Sequence, residues 1–305
     1  MRILTLFLKK FRPRYLDNFS FSPSVGASGG LITIWNSSVL DGTTIQSNAY
    51  AVTVKFHNRL DNKDFHLTNI YGPSAEKMAF VTWLINLDTS NFDDCLLAGD
   101  FNLIRSAENR NKPGRDLGEM QLFNDCILGL DLAEIPFNGR NFTWSNTQSD
   151  PLLVKLDWVF SSVSWNLSYR GTVVQTLARP ISDHIPFVIY IDSCIPKANF
   201  FRFENFWIQH PGFKETVELH WKNSPVFGNA ARNILAKFKQ VGTGLRQWSK
   251  SLSKLNMLIH NCNWVLLLLD GLEDQRSLST LEKRFRGLVK DHLSTLTESR
   301  RIFWK

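Results

Sequence analysis

Cysteine is scarce in this sequence: Cys95, Cys126, Cys194 and Cys262 are the only four in 305 residues, and they show no pair spacing. That excludes a disulfide scaffold, suits a reducing compartment and argues against a zinc site. Long apolar runs are missing as well. The longest, WVLLLL at 264–269, falls well short of the roughly 18 residues that a membrane span needs. The start, MRILTLFLKKFRPR, sets two lysines and two arginines after its short apolar stretch, the reverse of a secretory leader. A nuclear or cytoplasmic protein with no membrane partner is the expectation. Charge excess is also absent from most of the chain. Residues 1–199 carry 18 Lys+Arg against 19 Asp+Glu, so the formal net charge of +7 comes from residues 200–305, with 17 against 9. A neutral front joined to a basic tail implies two different jobs.

What is present is an ordinary globular composition, 43% hydrophobic and 21% charged, with enough chain for one large domain and an appendage. Up to residue 199 the apolar segments are short, β-rich and bounded by turn residues. GLITIWN (30–36), AYAVTVKFH (49–57), FHLTNIY (65–71), CLLAGD (95–100), KLDWVF (155–160), TVVQTLA (172–178) and IPFVIYI (185–191) predict strands, and 76–88 and 118–129 predict helices. This mixture is an α+β sandwich rather than a regular alternating α/β sheet. Beyond residue 210 the period becomes helical. Ile234, Phe238, Val241, Leu245, Trp248, Leu252, Leu255, Ile259 and Cys262 follow at steps of four and three, as do Leu278, Leu281, Phe285, Leu288, His292 and Leu296. Two long helices in a hairpin around LDGLEDQ are expected. Their stripes are either buried against each other or the sandwich, or used for helical self-association.

Polar residues gather where the strands end. NIYGPS places Asn69 and Tyr71 at one strand end, AGDFN places Asp100 and Asn102 at another, KLDWVF embeds Asp157 between Leu156 and Trp158, and ISDHIPF sets Ser182, Asp183 and His184 before a fourth. One such Asp is a turn former. Four strand ends of this kind in one domain suggest a site, and Asp157 needs a partner if its strand has a buried face.

Phosphodiester hydrolysis uses these groups. It needs a water placed in line, neutralisation of charge on the phosphoryl oxygens, and acceptance of the water's proton. Asp100 would orient or deprotonate the water while the Asn102 amide donates to a phosphoryl oxygen. His184, held by Asp157, would contact the phosphate or handle a proton. Asp183 offers an oxygen to Mg2+, which accepts few carboxylates and keeps several waters.

In this order and at these separations, NIYGPS, LLAGDFN, FTWSN, KLDWVF and SDHIPF resemble the endonuclease/exonuclease/phosphatase superfamily. More narrowly, they resemble the endonuclease of plant LINE-type non-LTR retrotransposons, in which VGASGGLITIW and NFWIQHPGF are also familiar. The likeness covers about residues 20–222. It implies a four-layer α/β sandwich, two packed β-sheets flanked by helices, and Mg2+-dependent hydrolysis of DNA. Asp100 and Asn102 would be the water-activating and transition-state pair, Asp183 the metal ligand, His184 the phosphate-contacting histidine, Asp157 its orienter and Tyr71 a phosphate-site phenol. Trp144 of FTWSN would be a core residue supporting the site.

Two departures shape the expectation. The family completes its metal site with a glutamate on an early strand and an asparagine on the first, whereas no glutamate precedes Glu76 here; Trp158 also stands where the family has arginine. Three segments are therefore expected: residues 1–20, an unrelated or rearranged start; 21–199, the nuclease-like domain without its first strands; and 200–305, a basic helical linker that would precede a reverse transcriptase. Mg2+ should bind weakly and the enzyme should be impaired. The competing expectations are a decayed reading frame, or an inactive nucleic-acid-binding remnant whose Lys237, Lys239, Arg246, Lys250 and Lys254 hold DNA or RNA.

Overall fold

CLLAGD stays free of charge until its last residue because the strand it forms is covered on both faces. In this computed structural model, which describes residues 13, 15–24, 30–89, 92, 94–114, 117–191, 207–208, 212–251 and 254–303, that strand lies inside a six-stranded sheet. The start MRILTLFLKKFRPR (apart from residue 13), residues 25–29 of VGASGGLITIW, most of NFWIQHPGF, and Cys194 lie outside the described residues. Two compact units are formed, Met1–Ile195 with Asp274–Ser277, and Pro196–Glu273 with Leu278–Lys305.

The first unit runs β1 (Asn18–Ser22), β2 (Leu31–Trp35), β3 (Leu40–Ser47), β4 (Ala51–Asn58), β5 (Lys63–Tyr71), α1 (Lys77–Ile85), β6 (Cys95–Asp100), α2 (Leu117–Gly129) and β7 (Leu132–Glu134). It continues through β8 (Phe137–Asn138), β9 (Trp144–Ser145), β10 (Leu153–Val154), β11 (Asp157–Ser162), α3 (Val163–Ser168), β12 (Val173–Thr176) and β13 (Phe187–Tyr190). The large sheet has the order β3-β4-β5-β6-β11-β7, and a smaller one the order β13-β12-β8. Only β5 and β6 run parallel in the large sheet, so both end at the same rim.

Strand alternation sorts the side chains into two cores. Cys95, Leu97, Trp158 and Phe160 join Phe80, Leu84, Phe123 and Ile127 of α1 and α2 on one face. Leu96, Val52, Val54 and Val159 join Val174 of β12 and the flanking Phe187 and Ile189 on the other. The result is mixed α+β with packed sheets. Trp158 therefore does not stand at the site in place of a guanidinium. It is 1% exposed and its Nε1 donates to the Leu103 carbonyl at 2.9 Å, on the helix-covered face.

Glycine sets how closely the parallel strands approach at the rim. Gly99 has φ +145°, and a Cβ there would lie 2.0 Å from the Ile70 carbonyl oxygen; at Gly72 it would lie 2.2 Å from that of Phe101. No side chain fits either position, so NIYG and LLAGD carry glycine for backbone reasons.

In the second unit, α4 (Phe213–Lys222), α5 (Ala230–Ser251), α6 (Lys254–Gln275) and α7 (Thr280–Phe303) replace the two helices expected. The first apolar stripe runs along α5 and α6, with Leu252 outside the described residues, and LDGLEDQ lies inside α6 rather than in a loop. The hairpin turn falls later, where Ser279 begins α7 with a reciprocal cap: its backbone N–H donates to Glu282 Oε2 at 2.7 Å and its Oγ accepts from the Glu282 N–H at 3.3 Å. Arg286 then pairs with Glu273 at 2.8 Å and Asp270 at 3.6 Å across the hairpin. Leu278, Leu293 and Leu296 are buried, but Leu281, Phe285 and Leu288 are exposed, so the second stripe is only partly a core. Among the described residues no helix is long and apolar enough to cross a membrane. Cys95, Cys126 and Cys262 are buried free thiols.

Candidate active site

Register brings the first three polar residues together. Asp100 ends β6, where it is paired with Tyr71 of β5 on one side and with Asp157 of β11 on the other. Two carboxylates directly opposite each other repel. Asp157 is held there by Thr143, whose buried Oγ1 accepts the backbone N–H groups of Leu156 and Asp157 at 2.9 Å each.

His184 resolves the repulsion. Its Nδ1–H donates to Asp157 Oδ2 at 2.8 Å, and its Nε2 lies 3.7 Å from Asp100 Oδ2. Burial, the largest single influence, pulls the imidazole pKa down; the hydrogen bond and charge of Asp157, with Asp100 behind, outweigh it and raise the value above 6.5. Asp100 moves the same way, to about 6, through burial first and the Asp157 charge second, partly offset by His184.

Asn102 adopts φ +51°, a left-handed turn that asparagine tolerates. Its backbone N–H donates to Asp100 Oδ1 at 2.9 Å, while its Nδ2 donates to both Asp100 Oδ2 at 2.9 Å and the Gly72 carbonyl at 2.8 Å. Both amide hydrogens are thereby used. The amide holds the Asp100 carboxylate in place.

Asp183 is exposed beside His184. Its Oδ2 accepts Trp144 Nε1–H at 2.9 Å, and its backbone carbonyl accepts from Arg179 Nη1 at 3.2 Å. Although burial alone would raise its pKa, the Trp144 hydrogen bond and the nearby His184 keep it low, so Asp183 is ionised. Trp144 is half-buried at the rim, bridged to His184 through its backbone, and supports the site from the wall rather than from the core.

A single cavity of about 560 Å³ is lined by Tyr71, Asp100, Asn102, Asp183 and His184, with Asp157 behind His184. Five wall residues were not singled out from the sequence: Ser74, Lys77, Arg110, Leu152 and Val154. Of these, Ser74 closes the NIYGPS motif and Lys77 begins α1 three residues later, whereas Arg110 lies eight residues beyond LLAGDFN and carried no signal.

Asp100, Asp157 and His184 place ligand atoms within 4.8 Å of one another, a cluster that could hold a metal ion. Asp157 Oδ2 is hydrogen-bonded to His184, and Asp100, with Asp183 on the same cavity wall, could offer oxygen to a hard cation such as Mg2+. The residues fit a largely hydrated ion held by few protein ligands.

The chain is similar to solved structures that include two described as endonuclease/exonuclease/phosphatase family proteins and a retrotransposon endonuclease domain. The endonuclease domain of TRAS1, a telomere-specific non-LTR retrotransposon, is 15% identical, with a TM-score of 0.46 over 58% of this chain and 80% of that one. The catalytic domain of Xenopus laevis APE2 is 18% identical, with a TM-score of 0.45 over 66% and 82%. Among curated proteins, an uncharacterized 149 kDa protein of transposon TX1 from Xenopus laevis is 23% identical over 223 residues, 68% of this chain but 17% of the relative. No family profile matches the sequence.

Proposed function

We propose that this site hydrolyses phosphodiester bonds in DNA with Mg2+, as the endonuclease of a LINE-type retrotransposon would, and does so slowly. The observation that carries the reading is the Asp100–His184–Asp157 cluster at the mouth of a cavity shared with Tyr71 and Asp183. Asp100, aimed by Asn102, accepts the proton of the attacking water. His184, kept charged by Asp157, presents Nε2–H to a phosphoryl oxygen, and the Tyr71 phenol presents a second donor. Asp183 and Asp100 would hold the cation, which supplies charge neutralisation on the phosphate. With so few protein oxygens, metal occupancy depends on the substrate phosphate and limits the rate.

Nicking of supercoiled plasmid tests this. The expected result is slow nicking that keeps rising with Mg2+, stops with EDTA and falls by at least about 100-fold in Asp100→Ala. No nicking at any Mg2+ concentration, or equal nicking by the variant, contradicts it. The basic 200–305 segment, with Lys237 Nζ 4.8 Å from the Trp221 ring centre, supports a second reading: salt-sensitive DNA or RNA binding without cleavage.

A further inference from the structure

We infer that Arg110 binds a backbone phosphate neighbouring the scissile one, so that the cavity takes a polynucleotide rather than an isolated phosphate ester. This rests on the hydrolytic reading above and adds a residue that contacts the substrate away from the reacting phosphate.

The cavity has two cationic wall residues besides His184, and they differ. Lys77 Nζ is already paired with Glu119 Oε2 at 3.1 Å, and its side chain is 12% exposed. Arg110 makes no ion pair with any described residue. Its Nη1 donates to the Gly114 carbonyl at 2.7 Å, and its Nε is buried without an acceptor. A buried N–H left unmet is costly, and this one belongs to a group with five donors in a rigid fork suited to phosphate. The guanidinium is also fixed in place. Arg110 bridges Val154 through its backbone on the cavity wall, and Gly114, at φ +117°, turns the chain back so that its carbonyl pins Nη1. Arg110, Val154, Trp144 and His184 are successive cross-strand partners, so three strand spacings of about 4.8 Å separate the Arg110 backbone from that of His184, and the pinned guanidinium draws a second part of the anionic backbone. One phosphate is engaged by His184; a second is needed to engage Arg110.

Binding without catalysis tests this. The probes are TpT, with one phosphodiester, and TpTpT, with two, titrated in EDTA into the full chain and followed by NMR shifts. The wild type should bind TpTpT tighter than TpT by about tenfold, the order of one charge-assisted contact. Arg110→Gln should abolish that advantage and Arg110→Lys should retain most of it, with circular dichroism confirming that both variants fold. For a long duplex, Arg110→Gln should also reduce the slope of log K against log salt by about 0.9. Equal affinities in the wild type, or an advantage that survives in Arg110→Gln, overturns the inference. An advantage that tracks Arg110 while plasmid nicking fails sustains the phosphate contact and removes only the hydrolytic reading.

Discussion

Gly99→Ala is expected to lose at least about 4 kcal/mol of stability or not to fold, because the substitution combines an unfavourable backbone with a backbone clash. At φ +145° an L side chain is strained before any neighbour is considered, and its Cβ would sit 2.0 Å from the Ile70 carbonyl oxygen. Ile70 is the registered partner of Gly99 in the parallel β5–β6 pair, and it is 1% exposed in the core. Relief therefore requires the two central strands to part, which opens both cores at once. Gly129→Ala is the control: nothing lies within 4 Å of its added Cβ at the end of α2. That change should be neutral or stabilising by up to about 1 kcal/mol. Denaturant unfolding or soluble yield reads both, and a Gly99→Ala protein within 1 kcal/mol of wild type (about one helix-propensity step) would contradict this account of the rim.

His184→Ala should be the most damaging change among the site side chains. It leaves Asp157, 7% exposed, facing Asp100 across a registered strand pair with no cation between them. Removing one partner of such a pair costs roughly 3 kcal/mol at neutral pH. Hydrolysis should fall by at least about 100-fold. The pH dependence follows from the two raised pKa values. His184 charged in the fold stabilises fully below its ordinary 6.5, and this contribution is lost as pH rises through its higher folded value. Asp100 ionises at a cost that grows from its ordinary 3.8 to about 6. Both effects lower stability as pH rises. The gap between wild type and His184→Ala should therefore narrow on the alkaline side, and hydrolysis should lose its acid limb near pH 6, where Asp100 takes up its proton. A gap that is constant from pH 5 to pH 9 (a window of several kcal/mol on the linkage scale, about 1.4 per pH unit) would rule this out.

Much of this was legible because strands buried on both faces leave little freedom in the sequence. CLLAGD and FHLTNIY read as strands, and their polar ends stood out. The glycines of NIYG and LLAGD were visible too, but not the backbone approach they permit, since that depends on which strands run parallel. Asp157 betrayed itself as a carboxylate between two large apolar residues, and the structure supplies its partner, His184. What stayed hidden rests on packing between distant segments. Both amide hydrogens of Asn102 are consumed locally, Trp158 turns into the core, and Arg110 joins the cavity only because β10 lies beside it. The short strands β7 to β10, two or three residues each, carry too little period to be read.

The central claim is that His184, Asp157 and Asp100, far apart in sequence, behave as one electrostatic unit. NMR titration of His184, assigned by the resonance that His184→Ala removes, measures this directly. The wild-type imidazole should titrate above 6.5 and move down in Asp157→Asn. An imidazole that titrates at 6.5 and ignores Asp157→Asn would contradict the account.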